Sequence, residues 1–324
     1  MSVTINAAVC SNVGRVRTNN EDNFFMNGLF MNETNRDQGG TFAHSFSHNR
    51  MVFAVCDGMG GTARGEDASF CAVKKLNTFL TGNQEVGNPA ILRPVIQDIS
   101  DAVEDECRGS GTTIVMVSVQ GERACISHVG DSRVYTMQNG VLSRATVDHS
   151  EVQRLYSMGL ITREQMATHP KRNMINQFLG MPRSEAMVAP GFTDGIKLVN
   201  GMRFMLCSDG LTDMVDDATI QEIMAEGRNP GDTCNALVRK ALENGGKDNV
   251  TVMCLEVNGA EESKDAYEST VVTAARNGKQ EKHAATGLQP EKIAKFKLIR
   301  NISAAAMAVG AIGMIAGIVM IFIQ

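Results

Sequence analysis

Residues 51–61 read MVFAVCDGMGG. Met51 through Cys56 are apolar without a break, a run of strand length, and Asp57 with Gly58, Gly60 and Gly61 follows as a turn signal. The same form recurs along the first 258 residues, in TINAAV near the start, TTIVMVSVQ, ACISHVGD, RVYTMQ, RFMLCSD and NVTVMCLEV. Turn signals such as Asn139-Gly140 punctuate these runs. Helical stretches intervene. GEDASFCAVKKLNTFL (65–80) puts Ala68, Cys71, Ala72 and Leu76 on one face. ILRPVIQDISDAVEDECR (91–108) and PGDTCNALVRKALENGG (230–246) read as helices, the latter closed by Gly245-Gly246. Strand runs separated by helices imply an α+β domain over residues 1–258, with sheets layered between helices. Periodicity does not choose the strand order.

Four aspartates share one placement. Asp57, Asp131, Asp209 and Asp248 each stand where an apolar run meets a turn. Aspartate is a poor strand former, so four such edges suggest one function: a cluster of carboxylates at the ends of central strands. Singly, Asp57-Gly58 and Asp209-Gly210 are ordinary turn formers. Clustered carboxylates raise one another's pKa and call for cations. Oxygen donors suit hard ions, Mg2+ or Mn2+. Only His128 lies close by in sequence, which argues against zinc.

The chain has a net charge of −5, and no basic block marks a nucleic-acid surface, so no nucleic-acid partner is expected. Its eight cysteines form no CxxC pair and read as reduced, buried thiols. The N-terminal stretch has no basic region followed by an apolar core, so no signal peptide is expected. Residues 259–297 turn polar and charged and read as a flexible linker ending in a basic juxtamembrane segment. Residues 298–324 read as a transmembrane helix. Its uncharged span from Ile302 to Ile323 covers about 30 Å as a helix, and Lys292, Lys295, Lys297 and Arg300 precede it. The expectation is a single-pass protein of the cell membrane, its folded domain cytoplasmic and its partner the lipid bilayer. Gly313 and Gly317 allow a weak dimer through that helix.

Seven segments, in order, resemble the metal-dependent protein phosphatase family known as PP2C or PPM, in its bacterial form. They are GRVRTNNED (14–22), VCDGMGGTARGEDAS (55–69), SGTT (110–113), HVGDSRVY (128–135), VDHS (147–150), CSDGLTDMV (207–215) and KDNVTV (247–252). The resemblance covers about Val9 to Val257. It implies an antiparallel β-sandwich flanked by helices on both faces. It implies a serine/threonine protein phosphatase in which water, activated by two Mn2+ or Mg2+ ions, attacks the phosphorus of a phosphorylated protein. Carried over by position, Asp57 bridges two metals, the Gly58 carbonyl holds the second, and Asp209 and Asp248 hold the first. Glu21 and Asp22 act through waters on the second metal's side. Arg17 grips the phosphate, and Asp131 with Asp209 holds a third, weaker ion. Asn249 orients its loop, and Ser132 and Arg133 hold the Asp131 loop. Side-chain bulk at Gly111 is expected to crowd the metal cluster, while Thr112 and Thr113 read as plain strand residues. Where many eukaryotic relatives have a histidine after the Asp-Gly pair, this chain has Met59, so the leaving alkoxide takes its proton elsewhere; His149 and His169 are weak candidates. Residues 151–180 match the family's flap, with Arg163, Lys171 and Arg172 as basic residues beside the site. The other functional reading is a non-catalytic phosphoprotein-binding or regulatory module of the same fold, whose mark would be a lost metal ligand. A small-molecule phosphatase would share the same centre.

Overall fold

A computed structural model describes residues 3–32, 39–60, 64–82 and 85–260. These residues belong to one compact unit. In chain order their elements are β1 (Thr4–Asn12), β2 (Asp22–Met26), β3 (Leu29–Phe30), β4 (Gly40–Phe46), β5 (Arg50–Gly60), α1 (Gly65–Gly82), α2 (Pro89–Glu106), β6 (Ser110–Thr112), β7 (Ile114–Gln120), β8 (Arg123–Val129), β9 (Arg133–Gln138), β10 (Val141–Arg144), α3 (Glu151–Ser157), α4 (Arg163–Thr168), β11 (Gly191–Lys197), β12 (Arg203–Cys207), α5 (Asp209–Thr212), α6 (Asp217–Ala225), α7 (Pro230–Glu243) and β13 (Val250–Asn258).

Among the described residues the strands make two antiparallel sheets. One has the order β10-β9-β12-β13-β1-β4, the other β11-β8-β7-β5-β2-β3, with β6 beside the end of β5. Successive side chains of a strand point to opposite faces. In β5, Val52, Ala54 and Cys56 point outward into a core with Ala72 and Leu76 of α1 and Leu92, Ile96 and Ile99 of α2. Phe53, between them, points the other way, and its ring meets Phe46 of the opposite sheet at 5.7 Å. Phe24 meets Phe42 across the same gap at 5.5 Å. In β13, Val250, Val252 and Cys254 pack outward on Ile220 of α6 and on Leu237 and Ala241 of α7. The layers are therefore helix, sheet, sheet, helix. Both faces of the central strands are covered, which is why they read as unbroken apolar runs rather than alternating ones.

Local chemistry sets the element ends. The Asn88 side chain accepts the Ala90 N–H at 2.8 Å and Pro89 opens α2, a favoured pairing of cap and first residue. Asn229 and Pro230 repeat it at α7, where Asn229 Oδ1 accepts the Asp232 N–H at 2.9 Å. Asn139 and Gly140 both have positive φ, 52° and 79°, and join β9 to β10 in the tight turn their dipeptide suggests.

Two placements differ from the sequence reading. Asp57 does not end its strand. β5 continues to Gly60, because Gly58–Gly60 pair with Thr112–Ser110 of β6 after the apolar run has stopped. Asp209 belongs to no strand; β12 stops at Cys207 and Asp209 begins α5. Among the described residues no helix is long and apolar enough to cross a membrane. The span 302–323, with Gly313 and Gly317, lies outside the described residues, as does the linker beyond residue 260.

Replacing Phe53 by alanine removes a fully buried ring between the sheets. The expected cost is about 3–5 kcal/mol of unfolding free energy, read from denaturant unfolding curves; a change near zero would contradict the assignment of Phe53 to the inter-sheet core.

Candidate active site

The acidic residues gather at one end of the sandwich, where the two sheets face each other. Asp22 opens β2 and stands directly across from Asp57 of β5, so their side chains share one face of one sheet. Asp209 at the start of α5 and Asp248 just before β13 approach from the other sheet. Asp131 lies in the turn between β8 and β9. Asp57, Asp209 and Asp131 are half-buried and Asp22 is buried.

The Asp57 backbone is clamped on both sides. Its N–H donates to Thr113 Oγ1 at 3.1 Å; its carbonyl accepts the Thr113 N–H at 2.8 Å and the Thr112 hydroxyl at 2.9 Å. Thr113 Oγ1 also lies 2.7 Å from Ser132 Oγ, which ties the Asp57 strand to the Asp131 turn. Ser132 thus holds the loop as expected. Arg133 does not: it pairs with Asp148, Nη2 to Oδ2 at 2.8 Å, and Arg144 pairs with the same carboxylate.

Glu21 is held from three sides. Its N–H donates to Asn249 Oδ1 at 2.8 Å, its carbonyl accepts the Gly58 N–H at 3.1 Å and the Ser69 hydroxyl at 2.7 Å, and its Oε1 accepts the Gly65 N–H at 3.2 Å. Gly58 is required here, since a Cβ would sit 2.3 Å from the Gly65 carbonyl oxygen and 2.5 Å from that of Glu21. Asn249 also donates to the carbonyls of Val13 at 3.0 Å and Asn19 at 2.8 Å, so one amide fastens the Arg17–Asp22 loop beside Asp248. Arg17 Nη2 donates to Asp248 Oδ2 at 2.8 Å, with both side chains partly exposed. Asp22 Oδ2 accepts the Ser208 hydroxyl at 2.7 Å, and Ser208 Oγ in turn accepts the Thr251 N–H at 3.0 Å.

Electrostatics marks these residues as one group. Burial first, then Asp22, Asp209, Asp131 and Asp248 in turn, push the Asp57 carboxyl well above the usual carboxylate range. Asp209 is pushed the same way by burial, then by Asp131, Asp213, Asp248 and Asp22. Burial raises Asp22 to about 7 despite hydrogen bonds from Thr251 and Ser208. Asp131 rises to about 6, by burial and then by Asp148. Burial also raises Glu21. Among the described residues no three His, Cys, Asp or Glu side chains close on a single point; the acids act on one another through their charges. Asp22 Oδ1 is buried without a hydrogen-bond partner among the described residues. An all-oxygen donor set carrying that orphaned atom and excess negative charge fits hard divalent cations.

Several participants were not evident from sequence. Thr112 and Thr113 read as strand formers, yet their hydroxyls hold Asp57. Asp213 lies one helical turn beyond Asp209, and that i,i+4 spacing in DGLTD was the available signal. Gly111 does not guard the acidic cluster as expected: a Cβ there would meet Phe178 at 2.4 Å, at the end of the 151–180 segment. His149 is engaged structurally, its Nδ1 accepting the Gly130 N–H at 3.3 Å and its ring 4.7 Å from that of His128. His169 Nδ1 accepts the Lys171 N–H at 3.1 Å. Arg163, Lys171 and Arg172 are exposed. The 151–180 segment rejoins the body through the Ser150–Ile175 and Thr112–Leu179 bridges.

The sequence profile of the family described as "Protein phosphatase 2C" matches residues 31–244. The serine/threonine phosphatase stp of Listeria monocytogenes is 33% identical over 268 residues, covering 78% of this chain and 96% of the relative. The crystal structure of serine/threonine phosphatase Stp1 from Staphylococcus aureus is similar with a TM-score of 0.65 at 30% identity, covering 78% of this chain and 95% of that one. The catalytic domain of the serine threonine protein phosphatase PstP, solved in complex with 2 manganese ions, aligns with a TM-score of 0.63 at 29% identity, over 79% of this chain and all (100%) of that one. The chain belongs to the protein phosphatase 2C family. It is an enzyme of the serine/threonine protein phosphatase class, of the bacterial type.

The raised carboxyls bind protons more tightly in the folded chain than in the unfolded one, where carboxylates titrate near pH 4. The folded chain therefore carries extra protons between about pH 4 and about pH 7, and its stability falls as pH rises through that window. In a metal chelator, the melting temperature is expected to drop from about pH 5.5 to about pH 8. A melting temperature that rises over this interval would contradict the coupling of these acids.

Proposed function

We propose that the chain hydrolyses phosphoserine and phosphothreonine in proteins, using two divalent ions, Mn2+ or Mg2+, and a third held more weakly. The observation that carries this reading is the convergence of Asp22, Asp57, Asp131, Asp209 and Asp248 between the sheets, with the Asp57 and Asp209 carboxyls pushed far from their ordinary range. In this reading Asp57, the Gly58 carbonyl, Asp209 and Asp248 would hold the two ions, Glu21 and Asp22 would act through waters, and Asp131 with Asp209 would hold the third ion. When bound, such ions supply an activated water and neutralise charge that develops on the phosphoryl oxygens.

The chain's own groups do the positioning. Arg17 donates one Nη to Asp248, and its remaining donors, which bond no other described residue, would take a phosphate in the planar, forked manner of a guanidinium. The Thr112 and Thr113 contacts keep the Asp57 backbone in place and the Asn249 N–H holds Asp248 Oδ1 at 2.9 Å, so little reorganisation remains at the moment of reaction. Met59 offers no proton, so the leaving alkoxide takes one from water.

Phosphate release from a phosphothreonine peptide by the full-length chain, with and without Mn2+, tests the reading. Asp57→Asn should lower turnover roughly a thousandfold or more, the equivalent of several kcal/mol of lost charge stabilisation. Folded, metal-loaded protein without turnover would instead support the binding-module reading.

We further propose that residues 298–324 anchor the chain by one pass, with the catalytic domain on the cytoplasmic side, weak pairing through Gly313 and Gly317, and substrates among proteins phosphorylated by a serine/threonine kinase. The uncharged span Ile302–Ile323 behind Lys292, Lys295, Lys297 and Arg300 supports this. Deleting 291–324 should shift the protein from the membrane to the soluble fraction and leave peptide hydrolysis unchanged. Lost hydrolysis, or unchanged fractionation, would contradict a role as tether.

A further inference from the structure

A protein substrate differs from a small phosphate ester in carrying chain on both sides of the phosphorylated residue. That chain must lie against surface beside the acids. A groove of about 930 Å3 opens there. Its lining begins at Met59 and Gly60, the residues of β5 that follow Asp57-Gly58, and continues over the end of α2, β6 and residues 178–185. The volume lies in the range of ligand-binding clefts.

Next to the acids the lining is apolar. Met59 is two residues beyond Asp57, so the two side chains share one face of β5, about 7 Å apart along the strand. Across the strand pair Met59 stands opposite Gly111 of β6. The Phe178 ring takes the room that a side chain at 111 would need, since a Cβ there would lie 2.4 Å from Phe178 Cδ2. Met59 and Phe178 therefore line the same face, and Pro182 adds a third apolar side chain. All three are partly exposed. Apolar side chains left open together beside a reacting centre mark a binding surface.

The walls are fixed before any ligand arrives. Arg183 donates from Nη1 and Nη2 to the two carboxylate oxygens of Asp105 at 3.1 and 2.9 Å, and from Nη2 to the Asp101 carbonyl at 3.1 Å. Its N–H donates to Glu104 Oε1 at 3.2 Å. These bonds join the 178–185 return to α2. Along the rim Glu104, Asp105 and Glu185 stand with Arg108 and Arg183, so the charges nearly balance. Neither an acidic nor a basic peptide is strongly favoured, and selection falls to the apolar side chains.

We propose that this groove receives the substrate polypeptide beside the phosphorylated residue and selects an apolar side chain there, seated against Met59, Phe178 and Pro182. The inference rests on the protein-phosphatase reading above and adds where specificity beyond the phosphate arises. In an extended chain each residue advances about 3.3 Å, so a side chain about two residues from the phosphorylated one reaches Met59 when the phosphate lies at Asp57 and Arg17. Unbranched Met59 adapts to apolar partners of different shape, so leucine, methionine and phenylalanine are all accepted.

The test measures kcat/KM of the full-length, Mn2+-loaded chain on phosphothreonine peptides built otherwise of small, uncharged residues. Leucine, serine, glutamate or lysine is placed in turn at each of the three positions on either side. Leucine should exceed serine by about tenfold at one position, or at two neighbouring ones on one side, the effect of sheltering that side chain from water. Met59→Gln and Pro182→Ser should each lower the leucine-to-serine ratio several-fold; a ratio taken within one variant cancels any change in the centre itself. Equal rates for leucine and serine at every position, a preference for glutamate or lysine instead, or a leucine preference that survives both substitutions would each overturn the groove while peptide hydrolysis stands. Turnover of p-nitrophenyl phosphate with none of any phosphothreonine peptide would overturn the protein-phosphatase reading, and the groove with it.

Discussion

Mutual repulsion among Asp22, Asp57, Asp131, Asp209 and Asp248 is the interaction around which the rest of the domain is arranged. Like charges brought together at the end of a sandwich cost free energy unless they hold protons or cations. The fold opposes that cost with rigid supports rather than with nearby bases. Thr112 and Thr113 fasten Asp57, Asn249 fastens the Arg17–Asp22 loop, and Ser208 links Asp22 to β13 through Thr251. Among the described residues Arg17 pairs with Asp248 at 2.8 Å, and Arg133 acts on Asp131. The sandwich in turn supplies rigidity, since central strands buried on both faces leave β5 and β13 no freedom to relax apart.

Much of this was legible in the sequence. The strand runs, three long helices and the four aspartates at run ends could be read from residue order, because double-sided burial leaves unbroken apolar stretches and aspartate is rare inside them. Other parts were not. β4 (GTFAHSF) is mostly exposed, and β6, β10 and β11 are short or weakly apolar, so periodicity gives little signal. Asp57 looked like a strand end because the apolar run stops there, whereas the strand persists through glycines that pair with β6. The clamps on Asp57 come from threonines whose β-branched shape makes them look like strand filler. The contact of Gly111 with Phe178 joins residues far apart in the chain, which no local pattern encodes.

The same geometry links chemistry to two other parts of the domain. The 151–180 segment returns to the body at Leu179, which bridges Thr112, the residue whose hydroxyl holds Asp57. α1 and the end of α2 touch the Asp57-Gly58 segment from the opposite side through Gly65 and β6. Movement in either region therefore reaches the acidic cluster through one or two contacts, with no long relay required.

Calorimetric titration of the full-length chain with Mn2+ near pH 7, repeated in buffers of different ionisation enthalpy, tests the central claim most directly. Crowded carboxyls that hold protons must give them up when cations bind. At least two ions should bind per chain, with proton release, and this binding should be lost in Asp57→Asn. Binding unchanged by that substitution, or binding without proton release, would contradict it.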